Sequence, residues 1–304
     1  MRFVREDEAF SVAPHPDHPR LYRIALKEDA LSAFFERLDT VDTQLLTYVP
    51  FMRFAAAHEL ETLLGTAFSE TINGILRDRA TGGFTLTVPE RFASRDRFIL
   101  TGTAVAHLIG VPNRDAMSGH YVACFEVRDS DKSDSFLRYA YRPLTLHTDG
   151  TFVNEATEWV LMMKMAARHV EGGRTRLLHL DDWSPLHRFA DHPLASAEVT
   201  YKGPPSKNVD ESAVRHTFFE QQGATCISYI DQFAQPRRME LARYLYDLSS
   251  ALEGSEAVRT IGLPVGGMVV INNGFWLHGR EAYRKHPELH RELMRQRGVF
   301  REHA

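Results

Sequence analysis

Gly267-Met268-Val269-Val270-Ile271-Asn272-Asn273-Gly274-Phe275-Trp276-Leu277-His278-Gly279-Arg280 reads as an apolar strand, a turn, and a short run that ends on a histidine. Met268 to Ile271 is brief and rich in β-branched residues, as strands are. Asn272-Asn273-Gly274 interrupts it with turn chemistry. Phe275-Trp276 then places His278 at the end of the strand. Short β-rich runs of the same texture occur at 119–128, 158–165, 174–180, 224–230 and 292–300, separated by clusters of Gly, Pro, Asn and Asp. Many short strands with turn signals between them predict a sandwich or barrel.

Upstream the texture differs. A short strand is expected over 21–26. Helices follow over 29–38, 52–64, 67–78 and 91–109, from apolar residues spaced three and four apart. Gly82-Gly83 marks a turn, and one helix returns near 236–253. The first 20 residues are polar and carry Pro14, Pro16 and Pro19, which reads as a loosely held arm. The expected organisation is one α+β domain with a mainly β core. It comprises an arm (1–20), a mostly helical part (21–110) and the β core (111–304).

Composition narrows the function. The chain has 304 residues, 43% hydrophobic and 25% charged, which excludes a disordered or fibrous protein. No apolar run approaches the ~20 residues that span a bilayer, so no membrane association is expected. The first residues, Met1-Arg2-Phe3-Val4-Arg5-Glu6, do not read as a signal peptide. Cys124 and Cys226 are too few for a disulfide framework, a cysteine zinc site or an iron–sulfur cluster, which fits a reducing cytoplasm. A net charge of -4 argues against a nucleic-acid partner. Dinucleotide and phosphate loops, a Gly-x-Ser-x-Gly elbow and a His-Glu-x-x-His helix are all missing from the sequence.

The unusual count is 15 histidines. A histidine and an aspartate two apart in a strand share one face. A distant second histidine then completes a facial triad with open coordination positions, the arrangement of non-heme Fe(II) oxygenases. Three such triplets occur, His15-Pro16-Asp17, His147-Thr148-Asp149 and His179-Leu180-Asp181, and about one is expected by chance. The first lies in the arm. The third precedes a helical stretch, where Asp181 or Asp182 reads as an N-cap. The middle triplet sits at a glycine turn, Gly150, where a metal would stay open to substrate. His278 is the candidate second histidine. Downstream, Arg291, Leu293, Arg295 and Arg297 share one face of a strand. Three like charges on one face call for anions, and arginine suits bidentate capture of carboxylates.

In order, His147-Thr148-Asp149, Gly172-Gly173-Arg174-Thr175, His278 and Arg291-Glu292-Leu293-Met294-Arg295 resemble the Fe(II)/2-oxoglutarate oxygenases. The resemblance is closer still to the carbon-starvation-induced glutarate 2-hydroxylase family. It is carried by Asp115 to Gly119, Leu144 to Thr151, Val160 to Lys164, Leu177 to Trp183, Pro204 to Val209, Tyr229 to Phe233, Arg291 to Gly298 and Phe51-Met52-Arg53-Phe54. It implies a double-stranded β-helix (jelly roll) with added helices. The implied reaction hydroxylates glutarate at C2 to L-2-hydroxyglutarate. It consumes 2-oxoglutarate and O2 and releases succinate and CO2. The implied setting is lysine and glutarate catabolism by a cytoplasmic homotetramer.

Under that resemblance His147, Asp149 and His278 hold Fe(II). Arg291, with Thr175, takes the far carboxylate of 2-oxoglutarate, and Arg295 meets a glutarate carboxylate. The order of these two arginines stays open, and Arg297 can replace either. Ser118, Tyr121 and Asn273 are further substrate candidates, with structural roles as the alternative. Two rival readings remain. One is the same chemistry on another short dicarboxylate or an ω-amino acid; the other is a β-helix protein that binds metal or acid without turnover.

Overall fold

The computed structural model describes residues 2–115, 118–129, 140–203 and 211–301. Two of the segments carrying the resemblance therefore lie wholly or partly outside the described residues: Ala116 and Met117 of the first, and Pro204 to Val209. The N-terminal half begins with β1 (Arg5–Glu6), β2 (Phe10–Pro14) and β3 (Tyr22–Leu26), then α1 (Glu28–Arg37), α2 (Thr43–Tyr48), α3 (Phe51–Leu64) and α4 (Thr66–Arg77). It continues through β4 (Gly83–Thr87), α5 (Arg95–Ile109), β5 (Gly110–Pro112), β6 (Ala123–Arg128) and β7 (Leu144–His147). Next come β8 (Trp159–Arg168), β9 (Thr175–His179), α6 (Leu186–Ala190), β10 (Glu198–Lys202), β11 (Ser212–His216), β12 (Phe218–Gln221), β13 (Ala224–Ile227) and β14 (Ala234–Gln235). The chain closes with α7 (Met239–Glu253), β15 (Arg259–Ile261), β16 (Gly267–Asn272), β17 (Trp276–Arg280) and β18 (His290–Phe300).

Two sheets form the core. The larger runs β1-β2-β3-β4-β16-β8-β18, with β5 and β6 both pairing the outer edge of β18. The smaller runs β15-β9-β17-β7. Helices α1, α3, α4 and α5 cover the outer face of the larger sheet, and the smaller sheet lies against its inner face. This is the expected α+β fold, with a double-stranded β-helix at its centre.

The apolar run of β16 follows from this layering. Met268 and Val270 join the helix-side cluster, while Val269 and Ile271 join the cluster between the sheets. On β8, Trp159, Leu161 and Met163 face the helices, and Val160 and Met162 face the other sheet. Successive side chains point to opposite faces, so these strand segments, covered on both sides, are apolar at every position.

Four local expectations are corrected. Residues 91–94 are outside the α-helix: α5 starts at Arg95, where Ser94 caps it by accepting from the Arg97 amide, and a separate short 3-10 helix spans Glu90–Phe92. The Gly82-Gly83 turn leads into an unexpected strand, β4, which lies between β3 and β16. The cap before Asp181 is His179, whose Nδ1 accepts from the Asp181 amide at 3.1 Å, while Asp181 pairs with Arg79 and Asp182 with Arg20. Finally, residues 1–20 are not a loose arm. β2 pairs with β3 from Phe10 to Pro14, and Phe10 is fully buried edge-on against Phe68, 5.2 Å away. The prolines misled because Pro14 falls at the end of β2, where no ladder donor is needed. Phe10→Ala is therefore expected to lower the unfolding free energy by about 3–5 kcal/mol. Denaturant midpoints will test this; a loose arm would show almost no change.

Among the described residues no helix is long and apolar enough to cross a membrane.

Candidate metal centre

Strands β7 and β17 are antiparallel neighbours, and their register sets His147 directly across from His278. The two imidazoles lie 4.3 Å apart, centroid to centroid. Asp149 follows just beyond β7, and its loop is tied down on three sides. The Thr148 amide donates to the Tyr229 carbonyl at 2.8 Å, and the Tyr229 amide donates to Thr148 Oγ1 at 2.9 Å. Asn273 accepts from the Asp149 amide at 2.9 Å and donates to the carbonyls of Asp149 and Thr157 at 3.0 and 2.8 Å. Gly150 adopts φ +80°, and a Cβ there would come within 2.2 Å of Thr157 Oγ1. The glycine after the triplet is thus required both by its backbone angle and by the closeness of Thr157 in the segment before β8.

The three side chains suit a divalent cation. One ligand atom from each lies within 4.8 Å of the other two. Asp149 Oδ2 is buried without a hydrogen-bond partner and sits 3.9 Å from His278 Nε2. His147 Nδ1 donates to the Thr145 carbonyl at 2.7 Å, which leaves the Nε2 lone pair free. Burial, with His147 beside it, lowers the His278 pKa to about 3, so its imidazole is neutral. Burial alone would raise the Asp149 carboxyl; Arg295, His278, His147 and Arg297 outweigh it and hold the group below the usual carboxylate range. Two imidazoles and one carboxylate form the facial ligand set of a non-heme Fe(II) site.

The expected arginine face exists. Arg291, Leu293, Arg295 and Arg297 of β18 all line a cavity of about 110 Å³ that also holds the triad. Met294 and Gln296 point the other way, Met294 into the helix-side cluster and Gln296 to Thr103 Oγ1 at 3.0 Å. The arginines differ in their partners. Arg295 donates to Asp149 Oδ1 at 3.0 Å and to Asp115 Oδ2 at 2.6 Å. Arg297 donates to Thr157 Oγ1 at 3.1 Å, and its Nε has no partner. Arg291 is buried with an unpartnered Nε, and no carboxylate pairs with it among the described residues. Its guanidinium lies 6.0 Å from the Tyr283 ring, which also covers Arg280 at 4.7 Å. Gly173 permits this: at φ +62° its hydrogen faces the ring, and a Cβ would sit 1.8 Å from Tyr283 Cε1. Thr175, two residues later, enters the cavity from β9, opposite Arg280 on β17.

Three substrate candidates lie elsewhere. Ser118 faces a separate hollow beside α2 and closes the turn around Asp115, its amide donating to Asp115 Oδ1 at 2.9 Å. Tyr121 is buried against the helices, within 3.3 Å of Thr103 Oγ1, with the Arg53 guanidinium 3.9 Å above its ring. Asn273 is the clamp on the Asp149 loop and lines no part of the triad cavity. Of the other triplets, His179 is packed against Phe275 and Trp276, and His15 Nδ1 accepts from the Asp17 amide.

Two charged residues, Arg280 in the cavity and Asp115 behind Arg295, were not among the sequence candidates. Arg280 was legible in principle, since it lies two residues beyond His278 on the same strand face. Asp115 had no local signal, because only the fold brings it to Arg295.

Known proteins align with these features. The CsiD family model matches residues 10–300. A glutarate 2-hydroxylase of Citrobacter koseri is 43% identical over 300 residues, covering 98% of this chain and 92% of its own. A glutarate 2-hydroxylase of Salmonella typhimurium is 43% identical over 295 residues, covering 96% and 90%. Among solved structures, an asparagine oxygenase in complex with Fe(II), 2S,3S-3-hydroxyasparagine and succinate superposes with a TM-score of 0.71 at 16% identity, over 91% of this chain and 93% of that one. The non-heme iron oxygenase OrfP in complex with Fe and alpha-ketoglutaric acid gives a TM-score of 0.67 at 15% identity, over 91% and 94%. At such low identity these two structures speak for the fold alone. The match to the family model spans nearly all of the folded chain, and the 43% identity extends over at least 90% of each relative; this chain belongs to the CsiD family.

Proposed function

We propose that this protein is an Fe(II)- and 2-oxoglutarate-dependent oxygenase that hydroxylates glutarate at C2. Glutarate, 2-oxoglutarate and O2 give L-2-hydroxyglutarate, succinate and CO2. The observation that carries the reading is the pairing, in one cavity, of an Asp149 oxygen facing His278 with a buried cation, Arg291, both without a partner among the described residues. The relatives named glutarate 2-hydroxylase support the choice of substrate.

His147, Asp149 and His278 would hold the metal. The ferrous ion and 2-oxoglutarate, once bound, supply the oxidising power that activates O2. The chain supplies position, charge and dryness. Arg291 and Thr175 receive the far carboxylate of 2-oxoglutarate. Arg297 receives a glutarate carboxylate in place of Arg295, whose two terminal nitrogens already hold carboxylates. Phe125, Phe152, Met162, Phe233 and Leu293 wall the cavity and exclude water, which strengthens each charge contact inside it.

The proposal extends to one catalytic domain over 1–304, because the larger sheet takes strands from Arg5 through Phe300. It places the enzyme in the cytoplasm, as a homotetramer of lysine and glutarate catabolism, on the family resemblance.

The test is succinate release from 2-oxoglutarate with glutarate, adipate, 4-aminobutyrate or 5-aminovalerate as cosubstrate. Glutarate should give the highest kcat/KM. Chelation should stop turnover, Fe(II) should restore it, and Zn(II) should bind without restoring it. A preference for either ω-amino acid would overturn the two-anion reading of the cavity.

A further inference from the structure

We propose that Asp115 is a positioning residue for the metal: acting through Arg295, it restricts Asp149 to a single coordinating oxygen, Oδ2. This rests on the reading of His147, Asp149 and His278 as the ligand set.

The three charges form a line. Asp115 is 3% exposed, and its Oδ2 accepts from Arg295 at 2.6 Å. Its Oδ1 accepts from the Ser118 amide at 2.9 Å. Its own amide donates to the His120 carbonyl at 2.7 Å, and its carbonyl accepts from the Gly119 amide at 2.8 Å. The carboxylate is therefore held by the Ser118 amide as well as by Arg295. Arg295 is a planar fork whose nitrogens are at set separations, so pinning one terminal nitrogen orients the other. That second nitrogen lies 3.0 Å from Asp149 Oδ1. The Phe125 ring, 4.9 Å from the guanidinium, limits its tilt.

Two consequences follow for the metal. Asp149 Oδ1 is held by Arg295, which leaves Oδ2, unpartnered among the described residues and 3.9 Å from His278 Nε2, as the oxygen turned to the metal position. A carboxylate using both oxygens would take a second coordination position, one that a three-ligand site must leave for cosubstrate and O2. Asp115 also balances Arg295. Without it, the guanidinium charge falls on Asp149 alone and competes with the metal for the only anionic ligand. Both effects weaken metal binding when Asp115 is neutralised.

The experiment titrates Co(II) into metal-free full-length protein and follows visible absorption, with no turnover required. Asp115→Asn should bind Co(II) about ten- to a hundredfold more weakly than wild type. Asp115→Glu, which restores the charge, should recover part of that loss. With metal saturating, the KM for glutarate should change less than threefold. A folded Asp115→Asn protein whose Co(II) affinity stays within twofold of wild type overturns the proposal. So does a raised glutarate KM with unchanged Co(II) affinity, because Arg295 would then serve substrate directly. If Asp115→Asn does not fold, Arg295→Lys carries the test, since a single ammonium cannot hold two carboxylates in one plane; the same loss is expected and unchanged affinity overturns. Wild-type protein that takes up no Co(II) is a separate result, and it would remove the ligand set itself.

Discussion

Asp149→Ala is expected to reduce glutarate-dependent succinate release by on the order of a thousandfold, together with metal content. Asp149 is the only anion among the three ligands, and its Oδ2 is buried with no donor among the described residues. Removing it leaves two imidazoles and a guanidinium, Arg295, facing the metal position without the carboxylate that shields it. Roughly 4 kcal/mol of lost metal binding corresponds to that thousandfold. The fold should persist, because the alanine backbone keeps the Asn273 clamp and Arg295 keeps Asp115. The measurement is succinate release at fixed iron, paired with bound iron after desalting. Iron retention and turnover near the wild-type level would remove Asp149 from the ligand set.

Arg291→Gln should move binding and stability in opposite directions. The KM for 2-oxoglutarate should rise about ten- to a hundredfold, since one charge-assisted contact contributes roughly 1.5–3 kcal/mol. The melting temperature of the ligand-free protein should rise. Arg291 is a buried cation with no carboxylate partner among the described residues, and it shares β18 with two more arginines and lies near Lys164, whose pKa is lowered by burial and by Arg291 itself. Burying an unpaired charge costs stability, and removing it relieves that cost. A glutarate KM that rises while the 2-oxoglutarate KM holds would exchange the two acid sites. A fall in melting temperature would mean that Arg291 has a structural partner after all.

The two sheets and most helices were legible because burial imposes period. The apolar spacings of α1, α3, α4 and α7, and the unbroken apolar runs of β8 and β16, answer to neighbours that cover them. Short strands with mixed faces were not legible. β10 and β11 leave alternate residues exposed, and β12 exposes all but Phe218, so their polar residues look like loop. The N-terminal hairpin failed for a related reason: its prolines suggested an arm, while Phe10 and Val12 had a core to enter that no local window reveals.

The site divides along the same line. The sequence alone determined which residue types could make the chemistry, because each motif is short and carries its own geometry. His147 and Asp149 are two apart, His278 follows an apolar strand and a turn, and Arg291, Arg295 and Arg297 keep to one face; the strand expected to end at His278 runs on to Arg280. Only the tertiary structure decided how these groups share their charges. It put Asp115 against Arg295, drew Arg295 onto Asp149, left Arg291 unpaired, and turned Ser118, Tyr121 and Asn273 away from the cavity. A side chain's type follows from its codon, but its partner depends on where distant strands bring their faces together, and electrostatic roles belong to partners.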